Sequence, residues 1–258
     1  MGGHSMSASI FIVEDERLVA EDIKLSLESH GYTVLGIAST RDQAIERIGQ
    51  TYPSLVLMDI VLKGAQDGIE TAAIVRARFG IPVIYLTAHA DQATLRRAKI
   101  SEPFGYILKP FEEHDLLSAI EIALYRHQLE SRMAENERWL TAILASIDDG
   151  IIAADSMGVV KLVNSAAERI GGWDPGELTG QDLQEVFRMQ EVSTGKSIEL
   201  PALPTLLKKD GQIKSQRRNL VCKSGRKTLI EQSVTPICEL SGTASGSVVV
   251  FRQLSPEL

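Results

Sequence analysis

Five residues in the N-terminal half of this 258-residue sequence are of types that handle metal and phosphate: Glu14, Asp15, Asp59, Thr87 and Lys109. Three carboxylates with water suit a hard divalent cation, and Mg²⁺ best of all. A hydroxyl and an ammonium beside them can receive an anion. The chemistry open to such a set is the holding of a cation and an anion side by side, each offsetting the other's charge. Bringing the acids together has a cost, about 4 kcal/mol per pair at roughly 4 Å in an effective dielectric of 20. A cluster of this kind therefore calls for a cation. Taken singly, Asp59 is a helix cap or a solvated strand end, and only the placement of the other four argues otherwise.

That placement comes from the elements around them. From Ser9 to about Leu124 strand-like runs (SIFIV, TVLGIA, LVLMD, VIYLT, GYIL) alternate with stretches of helical spacing such as Val19, Ile23 and Leu27. Thr40 with Gln43 forms a capping-box pattern ahead of the second helix. Leu55, Val56, Leu57 and Met58 form a run without polar alternation, the mark of a strand covered on both faces. Five such strands with right-handed crossovers predict an α/β fold, a doubly wound five-stranded parallel sheet. Its ligand site lies beyond the carboxyl ends of the strands. Glu14 and Asp15 follow the first strand, Asp59 ends the third, Thr87 ends the fourth and Lys109 follows the fifth, so all five converge on one surface.

The motifs IFIVEDE, LVLMDIVL, YLTA and GYILKPF, in that order and strand context, resemble the receiver domain of two-component response regulators, placed here at residues 7–126. The resemblance implies a flavodoxin-like sheet in which Asp59 accepts a phosphoryl group from a histidine-kinase phosphohistidine. It further implies that Glu14, Asp15, Asp59 and the backbone carbonyl of Val61 hold Mg²⁺, that Thr87 binds the phosphoryl group and that Lys109 pairs with it. Thr87 and Tyr106 match the family's switch pair, and Lys109–Pro110 its cis peptide. Val61 and His89, each two residues past a site residue, flank the route of hydrolytic water; by residue type His89 alone reads as an exposed loop position.

The totals support a chain of two domains. Lys plus Arg against Asp plus Glu is 12 to 18 over residues 1–130 and 15 to 16 over 131–258, within a net charge of −7. An acidic first half argues against direct nucleic-acid binding. Two cysteines, Cys222 and Cys238, are too few for a disulfide framework and fit a reducing cytoplasm. No run reaches membrane-spanning length. After Phe111 the residues 112–149 contain neither Pro nor Gly. Within a helical linker at 127–147, and reaching back to Ile122, positions 122, 126, 129, 133, 136, 140, 143 and 147 step by four and three and are apolar at six of the eight. This predicts a heptad seam, a homodimer through the linker helix and the receiver, and Asn136 as a register-setting residue; a single amphipathic helix packed on its own domain is the other reading.

Residues 148–258 read as an α+β domain with an antiparallel sheet: GIIAAD and GVVKLVN, a helical middle, and three long strands around RRNLVCK, TLIEQSVTPI and SGSVVVFRQL. The segment from Ile143 to Phe187 resembles a PAS sensor domain, with Arg188 to Pro204 looking inserted or irregular. No histidine occurs in 128–258, and Cys222 sits unlike the photoreactive cysteine of flavin-binding PAS relatives, so neither haem nor flavin is expected. TGKS at Thr194–Ser197 lacks the earlier glycine of a phosphate loop, Gln190 standing there. Eight basic residues against one acidic between Lys208 and Lys227 read as a solvated hairpin, without the aromatics of a nucleic-acid surface. The expected function is a phosphorelay signalling protein whose receiver, served by a sensor histidine kinase or phosphotransfer protein, regulates the PAS module, with no catalytic domain of its own. Two alternatives remain: an N-terminal fragment of a hybrid histidine kinase or diguanylate cyclase, and an aspartyl-phosphate phosphatase. The latter needs a second acid two residues after the nucleophile, where Val61 stands.

Overall fold

The computed structural model describes residues 8–62, 66–88, 103–200, 213–239 and 243–254. The chain forms two compact units, Met1–Ala134 and Glu135–Leu258.

In the first unit β1 (Ser9–Val13), β2 (Thr33–Ala38), β3 (Leu55–Asp59), β6 (Val83–Thr87) and β7 (Gly105–Leu108) form a parallel sheet in the order β2-β1-β3-β6-β7. The five predicted strands are these five. The order changes direction at β1, which makes the carboxyl ends of β1 and β3 the switch point where doubly wound sheets bind ligands. Alternate side chains serve opposite faces. Ile10, Ile12, Leu55, Leu57, Ile84 and Leu86 pack with Ile23 and Leu27 of α1 (Arg17–Ser29). Phe11, Val13, Val56, Met58, Val83 and Tyr85 pack with Ile48 of α2 (Arg41–Thr51) and Val75 of α3 (Gly68–Phe79). A sheet covered on both faces explains why its strands read as unbroken apolar runs. Two-residue strands, β4 (Val61–Leu62) and β5 (Gln66–Asp67), pair antiparallel just after Asp59. The expected crossover between β6 and β7, His89 included, falls in 89–102, outside the described residues.

One expectation needs correction. Thr40 is the N-cap residue of α2, but its hydroxyl makes no capping bond, so the position was legible and the capping box was not. Asp67 does cap α3, accepting from Ile69 N–H at 2.8 Å.

Helix α4 runs unbroken from Glu113 to Ser146. Its first turns bury Leu116, Ile120 and Ala123 against the α1 side of the receiver sheet. No helix among the described residues is long and apolar enough to cross a membrane.

In the second unit β8 (Gly150–Asp155), β9 (Val160–Val163), β10 (Met189–Gln190), β11 (Ser197–Ile198), β12 (Ile213–Val221), β13 (Lys227–Cys238) and β14 (Ala244–Gln253) form one antiparallel sheet in the order β11-β10-β12-β13-β14-β8-β9. Helices α5 (Ser165–Gly171) and α6 (Leu183–Val186) precede β10. Ile152, Ile230, Val234 and Val249 from the strands meet Trp173, Phe187 and Phe251 in the core, with the Phe187 and Phe251 rings 5.0 Å apart. Buried Asn164 caps α5 by accepting from Ala167 N–H at 2.9 Å. Its amide also donates to the carbonyls of Leu144 at 3.1 Å and Asp149 at 2.9 Å, and its oxygen accepts from Ile151 N–H at 2.8 Å, fixing the end of α4 to this unit. The irregular stretch after Arg188 contributes a small hairpin, β10 to β11, which extends the sheet. TGKS is the turn of that hairpin: Gly195 has φ +69° and donates to the Glu191 carbonyl at 2.9 Å.

Candidate functional site

Register puts the acids together. Val13 pairs with Met58 across β1 and β3, so the next residues along, Glu14 and Asp59, are neighbours at the strand ends. Both fall in the row of Ile10, Ile12, Leu55 and Leu57, the α1 side of the sheet. Asp59 pairs in turn with Leu86, and Thr87 with Leu108, so Lys109 emerges one residue past that pair. Glu14 is 2% exposed, Asp59 7% and Thr87 4%.

One ligand oxygen from each of Glu14, Asp15 and Asp59 lies within 4.8 Å of the others. The Lys109 ammonium donates to Glu14 Oε2 at 2.5 Å and to Asp59 Oδ2 at 2.5 Å. The other Asp59 oxygen, Oδ1, accepts from the Val61 N–H at 2.9 Å, and Glu14 Oε1 accepts from the Glu16 N–H at 3.2 Å. Burial pushes the Glu14 carboxyl above its ordinary pKa; the Lys109 hydrogen bond opposes the rise and the charge of Asp59 adds to it. Burial works against the Lys109 ammonium too, but its bonds to Asp59 and Glu14 outweigh that and hold its pKa above the usual lysine value. The donors are all oxygen, as Mg²⁺ requires, and the arrangement fits such an ion.

Tyr106 packs with its ring centroid 5.8 Å from that of Tyr85, and Thr87 continues the Val83–Tyr85 row on the same face. The Tyr106 hydroxyl is buried without a hydrogen-bond partner among the described residues, and burial raises its pKa. Lys109–Pro110 is cis. Val61 is 74% exposed, its N–H turned to Asp59.

Sequence reasoning missed Gly68. A Cβ there would stand 1.9 Å from the Asp59 carbonyl oxygen and 3.0 Å from Ile60 Cα, so only glycine permits α3 to start against the turn that follows Asp59. Gly68 N–H donates to the Ile60 carbonyl at 2.9 Å, closing that turn. The Asp67-Gly68 dipeptide was the available signal.

Comparison with known proteins finds two family matches: the response regulator receiver domain over residues 10–121 and the PAS fold over residues 140–254. The transcriptional regulatory protein PdtaR of Mycobacterium tuberculosis is 32% identical over 148 residues, 55% of this chain and 72% of that protein. The phyllosphere-induced regulator PhyR of Methylorubrum extorquens is 32% identical over 128 residues, 49% of this chain and 47% of that protein. Among solved structures, the signal receiver domain of a modulated diguanylate cyclase from Desulfovibrio desulfuricans G20 is similar at 40% identity and a TM-score of 0.46, covering 48% of this chain and 98% of that chain. The N-terminal domain of a response regulator/sensory box/GGDEF 3-domain protein from Carboxydothermus hydrogenoformans is similar at 35% identity and a TM-score of 0.45, with the same coverage of 48% and 98%.

Proposed function

The chain belongs to the response regulators, a receiver domain followed by a PAS fold, and from that premise we propose that Asp59 accepts a phosphoryl group from a sensor histidine kinase or a phosphotransfer protein and thereby regulates the PAS module. The observation that carries this reading is Asp59 itself, closing a fully buried strand with Oδ1 held by the Val61 N–H and Oδ2 by Lys109. A carboxylate fixed at both oxygens spends little entropy in reaching an in-line geometry. In the transfer a bond forms between an Asp59 oxygen and phosphorus, the donor's phosphorus–nitrogen bond breaks, and the departing imidazole takes up a proton. Lys109, with three donors on a flexible stem, can keep one partner and turn another toward the incoming phosphoryl oxygens. Glu14, Asp15, Asp59 and the Val61 carbonyl are the groups that would hold Mg²⁺, which when bound neutralises charge on the phosphoryl oxygens.

Thr87 and Tyr106 are the switch: the Thr87 hydroxyl turns to the phosphoryl group and Tyr106 moves along the same face. An open groove of about 810 Å³, lined by Lys109 itself, by apolar Val19, Ile23, Phe111 and Leu116 and by acidic Glu16 and Asp22, offers the donor protein a seat. The PAS fold is expected to bind neither haem nor photoactive flavin, a reading supported by the lack of histidine in 128–258 and by a Cys222 thiol buried against Thr228 Oγ1 at 3.2 Å and the Ile170 carbonyl at 3.4 Å. Two copies join through α4.

A small phosphodonor such as acetyl phosphate, supplied with Mg²⁺, tests the central step. One phosphoryl group per chain is expected, absent in Asp59→Asn and absent when the cation is chelated. Labelling that persists in Asp59→Asn overturns the reading.

A further inference from the structure

Helix α4 carries an apolar stripe that nothing in the described chain covers. Ile122 is 64% exposed, Leu129 41%, Met133 72%, Leu140 55% and Ile143 37%. Arg126 and Asn136 occupy the other two places of the same four-and-three rhythm within the helix, and the eighth, Ile147, lies one residue past its end. Two-stranded coiled coils have this seam, and the residues flanking it choose the partner and its direction. One flank holds Glu130, Glu137 and Leu144; the other holds Tyr125, Arg132 and Trp139. Arg126 pairs with Glu130 at 2.8 Å within the helix, whereas neither Arg132 nor Glu137 has a side-chain partner among the described residues.

We propose that α4 pairs with α4 of a second copy, parallel and in register, with Arg132 of each chain meeting Glu137 of the other. This rests on the reading of α4 as the surface that joins two copies, and adds its direction and its register. In a parallel pair each flank meets the opposite flank of the partner, one seam position further along, which sets Arg132 against Glu137 twice by symmetry and Trp139 against Leu144. An antiparallel pair sets each flank against its own kind, so Glu130 and Glu137 face like charges and Arg132 faces no acid. Charge complementarity on the flanks thus selects the parallel arrangement, and Arg126, which in register faces its own copy across the seam, is drawn aside to Glu130 at 2.8 Å and over the Phe104 ring at 5.2 Å. Polar Asn136 in the seam favours a single register, since any slip sets its amide against an apolar side chain.

The test uses the 258-residue chain in sedimentation at low ionic strength. Arg132→Glu alone and Glu137→Arg alone each turn two attractive contacts into repulsions, and each is expected to raise the dimer dissociation constant roughly tenfold. Both changes in one chain restore it. An equimolar mixture of the two single variants, distinguished by a tag, is expected to give mixed dimers well above the half that random exchange produces, with the excess fading in high salt. Random mixing, or dimers indifferent to both single changes, overturns direction and register while leaving the dimer standing. A wild-type chain that stays monomeric overturns the pairing surface as well. Neither result bears on labelling at Asp59.

Discussion

Lys109 Nζ lies 2.5 Å from Asp59 Oδ2, so the residue that follows the last strand of the receiver sheet charge-pairs with the carboxylate that ends its central strand. The same ammonium reaches Glu14 Oε2 at 2.5 Å. Three carboxylates and one ammonium leave two negative charges in a largely buried site, the amount a divalent cation cancels. Lys109 is therefore the counter-ion of the site as it stands, and in the proposed transfer it becomes the partner of the phosphoryl group.

Lys109→Ala strands buried Glu14 beside Asp59. Without Mg²⁺ the variant is expected to lose about 2 kcal/mol of stability in urea denaturation, the cost of an unpaired buried polar group. Saturating Mg²⁺ recovers much of the loss, because a ligand that binds only the folded state stabilises it. Equal metal-free stability of variant and wild type would mean that the pair does not hold Glu14.

Gly68→Ala drives a methyl group into the Asp59 carbonyl, 1.9 Å away, and backbone cannot yield as a side-chain tip does. A destabilisation of about 3 kcal/mol is expected, with slower labelling of Asp59 in the fraction that stays folded. Denaturation and initial labelling rates read the two effects separately; wild-type values for both would contradict the close approach.

Burial lowers the pKa of His127 below its usual 6.5; Glu130 opposes that fall and Arg76 adds to it, while the Phe104 ring stands edge-on at 5.5 Å. The unfolded chain takes up this proton near pH 6.5 and the folded chain only at lower pH. Between the two values the unfolded state binds more protons, so this contribution to stability is present above 6.5 and is lost as pH falls through that window to the folded pKa. A proton NMR titration of the His127 ring is expected to place its midpoint below 6.5, and a midpoint at or above 6.5 would refute the assigned environment.

Much of the receiver was legible because strand parity and strand ends carry it. Ile10, Ile12 and Glu14 share one row and Leu55, Leu57 and Asp59 another, so the sheet that buries the apolar residues also delivers the acids. The β4–β5 pair and the β10–β11 hairpin were not legible, since two-residue strands have no periodicity to read. The missing Thr40 cap bond depends on a rotamer, which composition does not fix. Gly68 was passed over because its reason is a contact with Asp59, and only the folded turn brings the two together.

The most direct measurement is chemical mapping of the phosphorylated residue. Borohydride converts an aspartyl phosphate to homoserine, and peptide mass analysis of the 258-residue chain after acetyl phosphate treatment then locates it. Homoserine is expected at position 59 alone, formed only when Mg²⁺ is present. Homoserine at Asp15 or elsewhere, or an Asp59 peptide unchanged after stoichiometric labelling, would contradict it.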